Sequence, residues 1–236
     1  SVIRIINHQL SLIRRSRGFV PRPVDLTSDA EGIFAAGAEQ KSSFCIGKGS
    51  QAFVSQYIGD IRNVATYDFY QESYRLFSTL FRFTPSALVC DMHPDYLSGR
   101  FAEAMAEERG IPLIRVQHHH AHAVSVMAEH GITEKVIGVS MDGTGYGTDG
   151  HIWGSEFMIV TPGDFKRYTH FDYLMMPGGD AAVDEPWRMA MSCLYKYMGS
   201  DYDFQKLKLF QKVDENKLSV VRDMLRNGIN TPLTSG

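Results

Sequence analysis

Residues 117–150 hold the densest collection of side chains capable of chemistry. Gln117-His-His-His-Ala-His122 sets four imidazoles within five positions, and Met141-Asp-Gly-Thr-Gly-Tyr-Gly-Thr-Asp-Gly150 follows. On a helix, His118 and His122 share one face and can grip a single metal ion. The spacing also permits His119 with His122, and His119 and His120 would orient ligands or substrate in the first arrangement. A solvated histidine tract is the bland alternative. The apolar stretch 136–141 predicts a strand that ends at Asp142, followed by a glycine-rich turn. Gly143, Gly145, Gly147 and Gly150 would expose backbone N–H groups to a phosphate, with Thr144 and Thr148 as hydroxyl donors. A tight hairpin is the competing reading. Two imidazoles, a carboxylate and a phosphate cradle together suggest metal-assisted chemistry on a nucleotide or an acyl phosphate.

Other residues add weaker signals. Pro177-Gly-Gly-Asp180 allows close approach of a ribose or phosphate, with Asp180 accepting from sugar hydroxyls. Glu185-Pro-Trp-Arg188 offers polar contacts, although Trp187 suits a core equally well. Asp91-Met-His93-Pro-Asp95 follows a buried strand, the place where open α/β sheets bind ligands, but a helix cap explains it as readily. Lys41 is a candidate counter-charge for phosphate, or an exposed turn residue. No Gly-x-Ser-x-Gly and no legible Cys–His pair supplies a nucleophile, so an acyl group would pass directly from donor to acceptor. The glycine motif matches neither the P-loop nor the dinucleotide fingerprint.

The elements that must position these residues follow from periodicity. Stretches 33–36, 43–46 and 51–54 predict a β-meander across glycine-bearing turns. A helix presents Tyr70, Tyr74, Phe77 and Phe81 on one face, and 87–90 is a short apolar strand. The next helix carries Leu97, Phe101 and Met105, 113–116 is a strand, and the histidine cluster opens another helix that closes near His130. The order then restarts, with strands at 136–141, 155–160 and 166–173 and a second glycine turn at 175–180. Two helices follow, one with Trp187, Met191, Leu194 and Met198 on a face, the other with Leu218, Val221 and Leu225, closed at Asn227-Gly228. This predicts an α/β protein with a duplicated actin-like fold. Its first lobe (25–134) is expected to be complete and its second (135–236) truncated. Residues 1–24 hold Arg4, Arg14, Arg15, Arg17 and Arg22 and no acidic residue, which suggests a basic arm and linker or the tail of a preceding domain. The chain therefore reads as a fragment cut at both ends.

Bulk properties narrow the classes. With 236 residues, 44% hydrophobic and 22% charged, the chain can bury a sizeable core. A net charge of −3 argues against a dedicated nucleic-acid binder. No apolar run reaches membrane-helix length. Cys45, Cys90 and Cys193 are odd in number and widely spaced, which fits reduced thiols in the cytoplasm.

The runs Arg14-Arg-Ser-Arg-Gly-Phe-Val-Pro21, Gly37-Ala-Glu-Gln-Lys-Ser-Ser-Phe-Cys45, Ser55-Gln-Tyr-Ile-Gly-Asp60, Asp91-Met-His-Pro-Asp-Tyr-Leu-Ser98, Val116-Gln-His-His-His-Ala-His122 and Asp142-Gly-Thr-Gly-Tyr-Gly-Thr-Asp-Gly150 resemble the HypF family of hydrogenase maturation carbamoyltransferases. The resemblance covers nearly the whole chain, residues 1–24 being similar to the end of the family's YrdC-like domain and the rest to its TsaD-like module. It implies an actin-like fold and transfer of a carbamoyl group to the C-terminal cysteine of the partner HypE. The donor would be carbamoyl adenylate, made from carbamoyl phosphate and ATP with magnesium. It implies a divalent metal, iron or zinc, on His118, His122 and Asp142, with a further aspartate outside this chain. The reading of the two glycine turns gives the nucleotide contacts Gly143, Thr144, Gly145, Tyr146, Gly147, Gly178, Gly179 and Asp180, with Lys41 as a phosphate counter-charge. No nucleic acid or membrane is expected, and the isolated fragment is expected not to turn over. Carbamoyl transfer to a small-molecule hydroxyl, a non-catalytic actin-like ATP-binding module and a tRNA-modifying transferase are the rival readings.

Overall fold

A computed structural model describes residues 1–16 and 18–236; Arg17 of the basic N-terminal stretch lies outside the described residues. The described chain forms two compact units, Ser1–Lys135 with Thr161–Asp164, and Val136–Val160 with Phe165–Gly236.

The first unit opens with an antiparallel hairpin of β1 (Val2–Ile6) and β2 (Gln9–Arg14), exposed along its whole length. Asn7 and His8, at φ 50° and 62°, make the two-residue turn that suits the twist of a hairpin. Within the arm and linker expected over 1–24, the stretch 2–14 is thus a β-hairpin, and β3 (Val24–Asp25) already belongs to the main sheet. Alternation in 2–14 signals that strand pair, and the arginine count obscured it.

The main sheet has six strands. After β3 come β4 (Ile33–Ala35), β5 (Cys45–Lys48) and β6 (Gln51–Val54), the expected meander. Helix α1 (Val64–Leu80) leads to β7 (Ala87–Asp91), and α2 (Leu97–Arg109) crosses to β8 (Leu113–Val116). The spatial order is β3-β6-β5-β4-β7-β8, with β4, β7 and β8 parallel. Parallel neighbours require a crossover, which α2 provides between β7 and β8. The histidine cluster then opens α3 (His118–Glu129), capped at its end by His130.

The core of this unit is aromatic. Phe34, Phe44, Tyr70, Tyr74, Phe77 and Phe101 meet mostly edge to face, with Phe34 4.8 Å from Tyr74 and Phe44 5.2 Å from Phe77 between ring centroids. That arrangement pairs positive ring edges with negative faces. The buried hydroxyl of Tyr70 donates to the Ala36 carbonyl at 2.7 Å. No side chain caps α2 from its own first turn. Glu39, far away in sequence, accepts the Leu97 N–H at 2.7 Å instead.

The second unit pairs two long antiparallel strands, β9 (Val136–Tyr146) and β10 (Ile152–Thr161). Then come β11 (Asp164–His170), β12 (Leu174–Met175), α4 (Ala181–Asp184), α5 (Trp187–Met198), α6 (Glu215–Asn227) and β13 (Leu233–Thr234). On α6, Leu218, Val221 and Leu225 form the buried stripe that the helical period predicts, against Met191, Phe204 and Phe210. Asp214 caps the helix by accepting from Asn216 and Lys217 N–H, and Gly228 at φ 64° ends it. Among the described residues no helix is long and apolar enough to cross a membrane.

Phe44 is 1% exposed and touches four other aromatic rings. Phe44→Ala should therefore cost about 3–5 kcal/mol. Ile137→Thr, at a side chain that is 78% exposed, should change stability by less than about 0.5 kcal/mol. Urea unfolding followed by circular dichroism measures both, and equal midpoint shifts would refute the assignment of this core.

Candidate functional site

In the first unit, the site grows from one parallel strand pair. β7 and β8 are registered so that Asp91 lies beside Val116, and both strands end at the same edge of the sheet. Two residues after Val116, His118 starts α3 next to the Asp91 carboxylate. Gln117 is an uncommon N-cap: its side-chain carbonyl accepts the His120 N–H at 2.9 Å. His118 Nδ1 stands 2.7 Å from Asp91 Oδ2, while Asp91 Oδ1 accepts the His93 N–H at 2.8 Å. An ionised carboxylate only accepts, so Nδ1 carries the hydrogen and the Nε2 lone pair points away from Asp91. There, His122 Nε2 lies 3.1 Å from His118 Nε2.

The other two histidines do not join this pair. His119 is fully buried, with Nδ1 3.3 Å from the Gln117 amide nitrogen. His120 Nε2 lies 3.0 Å from the Thr161 carbonyl, to which it donates. Both rings are buried, whereas His118 is partly exposed and His122 exposed. The Asp91–His118 contact was not foreseen. Its signal was present: a carboxylate ending one apolar strand and an imidazole just beyond a neighbouring one. Only the register brings them together. Lys41 stands exposed on a turn at φ 50°.

In the second unit, the stretch read as a glycine turn is largely strand. β9 continues to Tyr146, so Gly143, Thr144, Gly145 and Tyr146 are strand residues, and Gly147 starts the actual turn, closed by Gly147 N–H to the His151 carbonyl. The ladder shifts there: Met141 pairs with Ser155 but Gly145 pairs with Trp153. Asp142, Gly143 and Thr144 therefore stand opposite the single residue Gly154 and bulge out of the sheet. Such bulges re-aim side chains. A Cβ on Gly154 would meet the Asp142 carbonyl oxygen at 2.8 Å and that of Gly143 at 2.9 Å, so the bulge requires glycine at 154.

A charged network braces this region. Glu156 is fully buried, and its carboxylate accepts from Arg167 Nε at 2.5 Å, from Ser235 Oγ at 2.5 Å and from Gly154 N–H at 3.2 Å. Arg167 lies 3.9 Å over the Trp153 ring and also reaches Asp149. Burial pushes the Glu156 carboxyl up, but the Arg167 and Ser235 bonds prevail and hold it below its usual range. For Asp149, burial is likewise outweighed, by hydrogen bonds from Tyr173, His151 and Trp153 and by the Arg167 charge, which hold it at about 2.

The second glycine turn is where it was expected. Gly178 and Gly179 take φ 91° and 55°, and Gly178 N–H donates to the Asn230 carbonyl at 2.8 Å. Asp180 precedes α4 without capping it through its side chain. Glu185 accepts from Arg188 and Lys217, both at 2.7 Å, so the polar residues around Trp187 form an ion-paired brace.

A carboxyl held at about 2 against an ordinary 3.8 stabilises the fold above pH 3.8, and that stabilisation disappears as pH falls toward 2. Asp149→Asn should therefore lower the urea midpoint at pH 7 and flatten its fall below pH 4.5. Parallel midpoint-against-pH curves for the two proteins would contradict this role.

Comparison with known proteins places this architecture. Residues 28–129 match the HypF Kae1-like domain, and residues 138–236 match the second subdomain of the Kae1-like domain of carbamoyltransferases. Carbamoyltransferase HypF2 of Cupriavidus necator is 38% identical over 96% of this chain and 27% of its own length. Carbamoyltransferase HypF of Synechocystis is 36% identical over 98% of this chain and 30% of its own. The chain thus spans under a third of these relatives. The crystal structure of T. kodakarensis HypF superposes with a TM-score of 0.89 at 36% identity, covering 99% of this chain and 32% of that one. A full-length HypF in a phosphate- and nucleotide-bound form gives 0.87 at 36% identity, over 96% and 29%. The fold is mixed α/β of the actin-like, Kae1-like kind, and the chain belongs to the HypF family.

Proposed function

We propose that this chain carries the carbamoyl-transfer region of a cytoplasmic HypF-type carbamoyltransferase acting in nickel–iron hydrogenase maturation. In the proposed reaction, carbamoyl phosphate and ATP with magnesium supply carbamoyl adenylate. The thiolate of the C-terminal cysteine of HypE attacks the carbamoyl carbon, the bond to the phosphate oxygen breaks, and AMP leaves. The observation that carries the reading is the His118–His122 pair, two Nε2 atoms 3.1 Å apart on one helical turn.

That pair fits a metal. Two imidazole nitrogens, each about 2.0–2.1 Å from one ion at angles of about 90–110°, would be separated by about 2.9–3.4 Å. We propose His118 and His122 as ligands to iron or zinc, with Asp142 as the carboxylate that the sequence adds to them. A bound cation there would polarise the carbamoyl carbonyl or hold phosphate oxygens. For the nucleotide we propose Gly143, Thr144, Gly145, Tyr146 and Gly147, together with Gly178, Gly179 and Asp180. Support comes from the bulge at 142–144 and the positive-φ glycines 178 and 179, which allow backbone to approach a ligand closely. It comes also from the relative whose structure is phosphate- and nucleotide-bound. Lys41, on its exposed turn, is the proposed cationic contact for a substrate phosphate.

Equilibrium dialysis against Zn²⁺ or Fe²⁺ should load the chain, and His118→Ala with His122→Ala should abolish loading. Wild-type metal content in that double variant would defeat the assignment. Gly145→Val should weaken ATP binding at least about tenfold, measured by calorimetry. Unchanged affinity in a folded variant would remove this strand from the nucleotide site. Transfer itself is read as a mass shift on the HypE C-terminal peptide. It should be lost when His118→Ala is introduced into a full-length, active HypF-type protein.

A further inference from the structure

We propose that Asp91 is a positioning residue for the histidine pair: it locks His118 in the Nδ1–H tautomer and so keeps the Nε2 lone pair presented to a cation. The inference rests on the metal reading above but concerns a residue that this reading leaves without a role. A carboxylate serving only as a turn cap would use one oxygen. Asp91 uses both: Oδ1 takes the His93 N–H at 2.8 Å and Oδ2 takes His118 Nδ1 at 2.7 Å. The backbone cannot drift, because Asp91 pairs with Val116 in the ladder and Met92 N–H donates to the Val116 carbonyl at 3.1 Å. The His118 end is equally held, since Gln117 caps α3. The contact is shielded, with the Asp91 and His118 side chains 7% and 13% exposed. A ligand imidazole held through its other nitrogen by a carboxylate keeps both its tautomer and its ring orientation.

The exposed ring completes the logic. Two neutral imidazoles with Nε2 atoms 3.1 Å apart repel unless a proton or a cation lies between them. With the His118 hydrogen on Nδ1, the hydrogen between the rings belongs to His122 in the metal-free chain. With a cation held between the rings, His122 would carry its hydrogen on Nδ1 instead, exchanged through solvent. His118 is preset by Asp91, and His122 is the ring that adjusts.

The test reads tautomers directly, by two-bond ¹H–¹⁵N correlation of the histidine side chains of the metal-free chain at about pH 8, where free imidazoles are neutral. The expected result is Nδ1–H at His118 and Nε2–H at His122. Asp91→Asn should invert His118. Because the amide oxygen is held by the His93 N–H, the NH₂ would face Nδ1 and donate to it, moving the ring hydrogen to Nε2. Zn²⁺ affinity should then fall by roughly 10–100-fold. An Nε2–H tautomer at His118 in the wild-type chain would overturn the proposal, and that measurement needs neither a variant that folds nor any metal. An inverted tautomer with unchanged Zn²⁺ affinity would overturn it too. A wild-type chain with Nδ1–H at His118 that binds no cation would sink the metal reading while leaving the Asp91 lock intact, so the two failures are distinguishable.

Discussion

The parallel pairing of β7 with β8 is the constraint from which the first unit's chemistry follows. Hydrogen bonds between these strands set Asp91 beside Val116, and the histidine pair starts two residues beyond that rung. A slip of one residue would turn Asp91 to the other face of the sheet. The buried apolar residues of β7, Leu88 and Cys90, oppose such a slip because they would leave the core. The aromatic cluster under the sheet therefore does more than stabilise. It holds the register that aims a carboxylate at an imidazole.

The second unit solves a related problem with different means. Its long strand pair has to accommodate three residues opposite one, and it does so where Gly154 leaves room for the carbonyls of Asp142 and Gly143. Beneath this opening sits Glu156, fully removed from water. An isolated buried carboxylate would be costly. Arg167 and Ser235 supply the bonds that keep it charged, and Arg167 itself lies over the Trp153 ring and is tied to Asp149. Removing one partner from such a network leaves a buried charge uncompensated, which is more damaging than exchanging the whole set for apolar groups. The network links β10, β11 and the segment after β13, and so fixes the frame around the bulge.

Family membership gives these local devices a common setting. The relatives are more than three times the length of this chain, and the chain corresponds to their Kae1-like region. Within that region the two units use different vocabularies: a helix N-terminus with paired imidazoles in one, a glycine-relieved bulge in the other. Two cysteines of the first unit are not activated as nucleophiles. Cys45 and Cys90 are both pushed up by burial, Cys45 to about 11, and so remain protonated thiols.

Much of this was legible in the residues alone. Period-2 and period-3.6 patterning located the meander, the helices with Tyr70 and Leu218 on their buried faces, and the helix that opens with the histidines. The one-turn spacing of His118 and His122 was sufficient to bring their nitrogens together, because a helix converts sequence distance into spatial distance directly. Four things were not legible. Glycines at 143, 145 and 147 look the same in a turn and in a strand, and only pairing with β10 shows that the first two belong to a bulged strand. The hairpin at residues 2–14 was hidden by its arginines. The surroundings of the four imidazoles were also hidden, since His119 and His120 share the residue type of His118 and differ only in which way the helix turns them. The partnership of Asp91 with His118, and of Glu156 with Arg167 and Ser235, joins residues far apart in the chain. No local pattern encodes such pairs, because strand register and burial, which exist only in the folded protein, decide which carboxylate meets which cation or imidazole.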